Sequence, residues 1–181
     1  RPSLEHLVQI QLDIAPEQAK FLARRFADAT QNHLTICETI ADAIRMLYSN
    51  HEIVDLARDY DWLCKQQIEE ELYFRRNKSY RLSTFEDAYR LVYSNLEYMT
   101  RYMNGLLMTQ LWWSNHTKVM EYYLDRYLPA LAEGHSHLEI GPGHGLQLYL
   151  AARYGRAAHL EGWDISEASV TATRAALTKL G

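Results

Sequence analysis

Glycine is distributed so unevenly that it divides the chain into two kinds of structure. Seven of the eight glycines lie at or after position 134, and Gly105 is the only one before it. Glycine weakens helix interiors but serves the tight turns that join strands to helices. The distribution therefore predicts a helical segment over residues 1–130 and a strand-containing segment over residues 131–181, with the boundary between Pro129 and Ser136.

The first segment carries apolar residues at helical spacing. Each stripe is a helix face that needs a packing partner. We expect five or six helices over residues 3–128, and Ser49 with Glu52 and Ser83 with Glu86 fit the capping box that starts a helix. The three stripes are Cys37, Ile40, Ile44 and Leu47; Ile53, Leu56, Tyr60 and Leu63; and Phe85, Ala88, Val92, Leu96, Met99, Met103 and Leu106.

Composition narrows the function classes. The formal charge of −4 at pH 7 supplies no basic field of the kind a nucleic-acid backbone requires, which argues against a nucleic-acid partner. The sequence contains no run of 18 apolar residues, so membrane insertion is not indicated. Cys37 and Cys64 show no CxxC spacing and are predicted to be reduced core cysteines of a cytoplasmic protein.

The second segment alternates between strand and helix patterns. "HLEI" is a short apolar strand, "LQLYLAARYG" a helix, "AHLEGWDI" a second strand, and "SEASVTATRAALTKLG" a helix with Ser166 as its N-cap. Strands that alternate with helices form parallel βαβ units. The chain is therefore predicted to be α/β, with an all-helical first domain followed by a βαβα unit.

Three glycines at alternate positions follow the first strand. Gly141 would make the turn, while Gly143 and Gly145 would leave room for a ligand at the carboxyl ends of the strands. The dinucleotide fingerprint needs glycine at position 146, where this chain has leucine, and Pro142 removes an amide donor that a pyrophosphate would use. A ligand without phosphate fits this turn better. Asp164 lies 19 residues after Gly145, the spacing expected of a carboxylate that holds a ribose.

"LEIGPGHG" followed by "GWDIS" resembles the first glycine motif and the second-strand acidic motif of class I S-adenosylmethionine-dependent methyltransferases. The resemblance covers residues 136–181 and implies a Rossmann-like sheet of about seven strands, of which this sequence would hold the first part. The helical segment is similar, more loosely, to the N-terminal caps of small-molecule methyltransferases. The implied cofactor is S-adenosylmethionine.

The resemblance also implies roles for individual residues. Glu139 would lie beside the methionine portion of the cofactor, and Asp164 would accept hydrogen bonds from both ribose hydroxyls. Ile165 would cover one face of the adenine. The glycines that would pack against the cofactor are Gly141, Gly143 and Gly145.

An aromatic stretch over residues 96–127 precedes the glycine motif, and it fits either core packing or a lid over the acceptor. As lid candidates the sequence offers Tyr98, Tyr102 and Trp113, with His116 as a candidate base or a capping histidine. His135, His137, His144 and His159 lack the accompanying ligands of a zinc motif, so no metal site is predicted.

The predicted function is methyl transfer to a small molecule. Two alternatives remain open: an RNA or protein methyltransferase whose helices dock the macromolecule, and a non-catalytic helical interaction module. A homodimer formed through the helical segment is a further expectation. The basic run "FRRNKSYR", residues 74–81, is interpreted as a solvated helix end because Glu69, Glu70 and Glu71 offset its charge.

Overall fold

The computed structural model describes residues 1–180. This part of the chain is mostly helical and contains one small two-stranded parallel sheet, so its class is α/β with a helical majority. The elements are α1 (Pro2–Ile14), α2 (Ala19–Ala27), α3 (Gln31–Leu47), α4 (Asn50–Asn77), α5 (Phe85–Ala88), α6 (Leu96–Trp112), α7 (Ser114–Tyr122), α8 (Leu128–Ala130), β1 (Ser136–Ile140), α9 (Leu146–Tyr154), β2 (His159–Trp163) and α10 (Glu167–Thr178).

Local capping explains where the long helices begin. Ser49 and Glu52 form the predicted capping box, in which the serine hydroxyl accepts the amide of Glu52 and the Glu52 carboxylate accepts the Ser49 amide at 2.7 Å. The second predicted box is wrong by one residue. Thr84, not Ser83, caps α5 and accepts the Asp87 amide at 3.2 Å.

The predicted apolar stripe that starts at Phe85 does not form one continuous helix. The side chain of Asn95 accepts the Tyr98 amide at 3.0 Å and so begins α6 as a new helix. Phe85 and Leu96 are exposed, whereas Met99, in the first turns of α6, is buried. A polar residue that can cap a helix therefore overrides an apolar period that continues across it.

Helix α7 continues into a wider, π-helical turn over Tyr123–Tyr127. The amide of Leu128 donates to the carbonyl of Tyr123, five residues earlier. Pro129 follows directly, and a proline has no amide hydrogen and clashes with the carbonyl four residues before it. The wider turn removes that clash and places Tyr123 and Tyr127 on the side of the helix that faces β1.

The two strands pair in parallel, as predicted. Their register runs from Ser136 opposite His159 to Ile140 opposite Trp163, and α9 forms the connection between them. Each strand therefore has one unpaired edge among the described residues. The carboxyl ends of both strands lie at the glycine turn.

One apolar core joins the helical segment to the strand-containing segment. Its fully buried members include Leu7, Ile40, Trp112 and Tyr149, so α9 packs into the same core as α1, α3 and α6. Gly105 lets α6 approach α4 closely, because a Cβ there would lie 2.8 Å from the carbonyl oxygen of Asp59. The βαβα unit thus rests on a helical platform.

Cys37 and Cys64 are free thiols, one buried and one partly buried. Burial raises the pKa of both thiols, which keeps them protonated and weakly nucleophilic. Over residues 1–180 no helix combines the length and apolar character needed to cross a membrane.

Candidate functional site

The glycine turn between β1 and α9 is held by backbone hydrogen bonds. The three glycines have φ values of +70°, +55° and +77° in the order Gly141, Gly143 and Gly145. These values lie in the left-handed region that glycine adopts readily. The Gly141 amide donates to the Trp163 carbonyl at 2.7 Å, and the Gly145 amide donates to the Pro142 carbonyl at 2.8 Å.

The space beside the three glycines is used in different ways. A Cβ at Gly145 would lie 2.7 Å from the Cα of Thr173, so this glycine allows α10 to pack against the turn. A Cβ at Gly143 would lie 3.0 Å from the sulfur of Met103 on α6. Gly141 has no neighbouring atom within 4 Å of that position. Protein atoms approach the Cβ position at both Gly143 and Gly145, the two glycines predicted to leave room for a ligand. Only Gly141, predicted to make the turn, opens onto free space.

Asp164 lies directly against this turn, as its spacing predicts. One carboxylate oxygen accepts the Gly143 amide at 3.3 Å, and the other accepts the Ser166 amide at 2.9 Å. Ser166 is the N-cap of α10, as predicted, but its hydroxyl makes no cap hydrogen bond. Each oxygen of a carboxylate has two lone pairs, so Asp164 keeps capacity for two further donors.

Exposed apolar side chains flank Asp164. Trp163 ends β2 and Ile165 follows Asp164, and both side chains are more than half exposed. The structure therefore brings Gly141, Gly143, Asp164 and Ile165 together at one end of the sheet. This arrangement offers two free acceptor positions beside an apolar surface.

His144 occupies the buried side of the turn. Its Nδ1 accepts the Leu146 amide at 3.1 Å, which places the ring proton on Nε2. Burial, and then the nearby His116, lower the pKa of His144 to about 4. His144 is therefore neutral at physiological pH and acts as an acceptor that fixes the first turn of α9.

His116, the candidate base, lies close to His144. Its Nδ1 is 2.7 Å from the hydroxyl oxygen of Thr109, and that hydroxyl donates to the Leu106 carbonyl at 2.6 Å. The His116 Nδ1 is therefore the donor, and its Nε2 carries the lone pair. Burial lowers the pKa of His116, which favours the neutral imidazole.

Two of the lid candidates, Tyr98 and Tyr102, are neighbours whose ring centroids lie 6.4 Å apart. The ring of Tyr98 contacts Trp62 of α4 edge-on at 5.2 Å, and the Trp113 indole donates to the Tyr60 hydroxyl at 3.1 Å. Tyr98 and Trp113 are thus anchored to α4. Tyr102 instead packs in the small cluster that contains Met103, the side chain that contacts Gly143.

Glu139 lines a cavity of about 330 Å³ together with Tyr122, Tyr123 and Tyr127. Neither Gly141 nor Asp164 lines this cavity. The Oε2 atom is covered and has no hydrogen-bond partner. Burial raises the pKa of the Glu139 carboxyl to about 7.

Sequence reasoning missed this cavity, although it noted the three tyrosines. The available signal was their spacing around positions 122–127, immediately before Pro129. Residues four apart, such as Tyr123 and Tyr127, share one face of a helix. The approach of β1 to those rings is a tertiary contact that no local pattern encodes.

In residues 1–180, no group of three or more His, Cys, Asp or Glu side chains is arranged to hold a metal ion. Comparisons of the chain with protein-family models, curated proteins and solved structures found no match.

Proposed function

We propose that the protein transfers a methyl group from S-adenosylmethionine to a small-molecule acceptor. The proposal rests on one observation: the Asp164 carboxylate accepts the Gly143 amide at 3.3 Å. This contact lies at the carboxyl ends of the two parallel strands. Ligands of open α/β sheets bind at this end of the strands. We also propose that β1, α9, β2 and α10 form part of a Rossmann-like domain.

The amide groups of the turn argue for a ligand without phosphate. The amides of Gly141, Gly143, Gly145 and Leu146 all donate to acceptors within the protein, and Pro142 has no amide hydrogen. A phosphate-binding turn must present free amides to its ligand. This turn instead presents a carboxylate with spare acceptor capacity.

The residues present fit an adenosyl sulfonium compound. Asp164 can accept bonds from two ribose hydroxyls while keeping its bonds to the backbone. Gly141 leaves open space beside the turn, and Ile165 offers an exposed apolar side chain for an adenine face. Carboxylates also favour a ligand with net positive charge at its sulfonium and ammonium groups.

S-adenosylmethionine supplies the activated methyl group, and the chain supplies alignment and proton acceptance. Asp164 orients the bound nucleoside. His116 is the group that we assign to proton acceptance, because its Nε2 carries a lone pair and burial keeps the ring neutral. Tyr102 is the lid candidate that packs nearest the turn.

Calorimetry with S-adenosylhomocysteine tests the proposal. We expect binding to the wild type, and we expect Asp164→Ala to weaken it by about tenfold to a hundredfold, since hydrogen bonds to charged groups are worth about 1.5–3 kcal/mol. Glu161→Gln, at an exposed carboxylate on β2, is the matched control and should bind as the wild type does. ATP should compete only weakly, because the amides of Gly141, Gly143, Gly145 and Leu146 already donate to acceptors within the protein.

Thermal unfolding of each variant separates a lost ligand contact from a lost fold. Asp164→Asn keeps one acceptor oxygen for the backbone and should preserve the turn better than Asp164→Ala. Absence of binding to the wild type at millimolar ligand would contradict the proposal. Equal affinity in wild type and folded Asp164→Asn would contradict the assigned role of the carboxylate.

A second candidate function is supported by the packing of the turn. Gly145 contacts Thr173, Gly143 contacts Met103, and Asp164 accepts two backbone amides, so the motif also serves to hold α6, α9 and α10 together. In a non-catalytic interaction module, this packing of three helices would be the whole role of the motif. The same calorimetry decides between the two functions.

A further inference from the structure

The cavity beside Glu139 lies at the unpaired edge of β1, where the π-helical turn of α7 approaches the strand. Its volume of about 330 Å³ is within the range of small-molecule sites. The lining residues are Val119, Tyr122, Tyr123, Tyr127, His137, Leu138, Glu139, Ile140 and Gln147.

Three tyrosines form the aromatic part of the wall. The rings of Tyr123 and Tyr127 stack at 5.4 Å with an interplanar angle of 19°. Tyr123 is held in place because its hydroxyl donates to the Gln147 carbonyl at 3.2 Å and its ring meets His137 edge-on. Tyr122 is 64% exposed and lies at the mouth of the cavity. Aromatic faces carry negative electrostatic potential and attract cations.

The charged groups of the lining also favour a cation. The lining contains neither lysine nor arginine, and Glu139 is its only carboxylate. Its Oε2 has no hydrogen-bond partner, although buried polar atoms are normally paired. His137 does not compensate for this charge, because burial, and then His135, lower its pKa and keep the ring neutral.

We propose that this cavity binds a small organic ammonium ion, with Glu139 as its counterion and Tyr122, Tyr123 and Tyr127 as its aromatic wall. The proposal does not depend on methyl transfer, because neither Gly141 nor Asp164 lines the cavity. A hard metal ion fits less well, since calcium takes six to eight oxygen ligands and magnesium six, and one carboxylate falls short of either.

Choline and its neutral isostere 3,3-dimethylbutan-1-ol are the probes that test this proposal. The two have nearly the same shape, and only choline carries a charge. At pH 8 and constant ionic strength, we expect titration followed by tyrosine fluorescence to show choline binding. The alcohol should bind at least about tenfold more weakly than choline, because it lacks the cation–π and ion-pair contributions.

Variants then assign the binding to the cavity. Glu139→Gln keeps the shape of the side chain, removes its charge, and should weaken choline binding about tenfold. Tyr122→Ala removes an exposed ring without disturbing the core and should also weaken it. Glu133→Gln, an exposed carboxylate before β1, is the matched control and should bind choline as the wild type does.

A pH series gives an independent readout. Glu139 has a pKa of about 7, so choline affinity should fall as the pH is lowered from 8 to 5 and the carboxyl becomes protonated. In Glu139→Gln this dependence should be absent. The titratable groups that line the cavity with Glu139 are Tyr122 on α7, Tyr123 and Tyr127 on the π-helical turn and His137 on β1. Burial raises the pKa of the Tyr123 hydroxyl and lowers the pKa of His137.

The proposal would be overturned if choline and its isostere bound equally, or if folded Glu139→Gln bound choline as tightly as the wild type. Failure of choline to bind at tens of millimolar would overturn it as well. Asp164→Asn should leave choline binding unchanged. A loss of S-adenosylhomocysteine binding without a loss of choline binding, or the reverse, therefore shows which of the two proposals has failed.

Discussion

Replacing Gly145 by alanine is expected to lower the free energy of unfolding by about 2–5 kcal/mol. Two costs add. The left-handed backbone, with φ of +77°, costs a residue with a Cβ about 1–2 kcal/mol. The new methyl group would also lie 2.7 Å from the Cα of Thr173, a backbone atom that a side-chain rotation cannot move. Overpacking of this kind costs typically about 1–3 kcal/mol.

The chain provides matched controls for Gly145→Ala. Gly134 and Gly141 have φ values of +73° and +70°, and a Cβ at either position meets nothing within 4 Å. Gly134→Ala and Gly141→Ala should therefore show the backbone cost alone, about 1–2 kcal/mol. Urea unfolding of all three variants measures the difference. If Gly145→Ala lowered the free energy of unfolding no more than Gly134→Ala, the result would contradict a close contact between α10 and the turn.

The second large effect is a change in how stability depends on pH when Glu139 is replaced by glutamine. The folded-state pKa of Glu139 is about 7, above its ordinary value of 4.5. Between pH 4.5 and 7 the folded protein therefore holds a proton that the unfolded chain releases. The stability that the protonated carboxyl contributes is complete below pH 4.5 and is lost as the pH rises to 7. Glu139→Gln should have a free energy of unfolding about 3 kcal/mol higher than that of the wild type at pH 8, with no such gain at pH 4.5.

The pKa shift of His144 changes stability with pH in the opposite direction to that of Glu139. Its folded-state pKa of about 4 lies below its ordinary value of 6.5, so the unfolded chain binds the extra proton between these values. Stability from the neutral ring is complete above pH 6.5 and is lost as the pH falls to 4, by about 3 kcal/mol in total. His144→Asn keeps an acceptor for the Leu146 amide and should gain that amount relative to the wild type between pH 7.5 and pH 4.

Urea midpoints measured from pH 4 to pH 8 check both signs. The difference between each variant and the wild type cancels the contributions of other titrating groups. Glu133→Gln, at an exposed position, is the control for replacing a glutamate by glutamine. A flat difference for Glu139→Gln would mean that its carboxyl is hydrated in the folded protein, and a flat difference for His144→Asn would mean the same for the imidazole.

Features set by neighbours in sequence could be predicted. The parallel strands, the helices α9 and α10, and the position of Asp164 against the glycine turn all follow from residues 136–178, where strand, turn and helix succeed one another closely. The capping box at Ser49 could be predicted for the same reason. Its two reciprocal hydrogen bonds join residues only three apart.

Features set by contacts between distant residues could not be predicted. Gly143 meets Met103, 40 positions earlier, and Gly145 meets Thr173, 28 positions later, so the sequence motif alone did not show that protein atoms fill those spaces. Glu139 was predicted beside the cofactor from its place in the motif. The structure shows in addition that Glu139 lines a cavity with tyrosines of α7 and its π-helical turn, and its place beside the cofactor stays a prediction.

The position of Met103 beneath Gly143 makes the turn sensitive to chemistry at a sulfur atom 3.0 Å from where a Cβ would stand. Oxidation to the sulfoxide would add a polar oxygen to a side chain that is 6% exposed. The added oxygen would lie beside Gly143, whose amide donates to the Asp164 carboxylate. Oxidation of Met103 would therefore disturb the glycine turn itself, and methionine sulfoxide reductases would reverse the change.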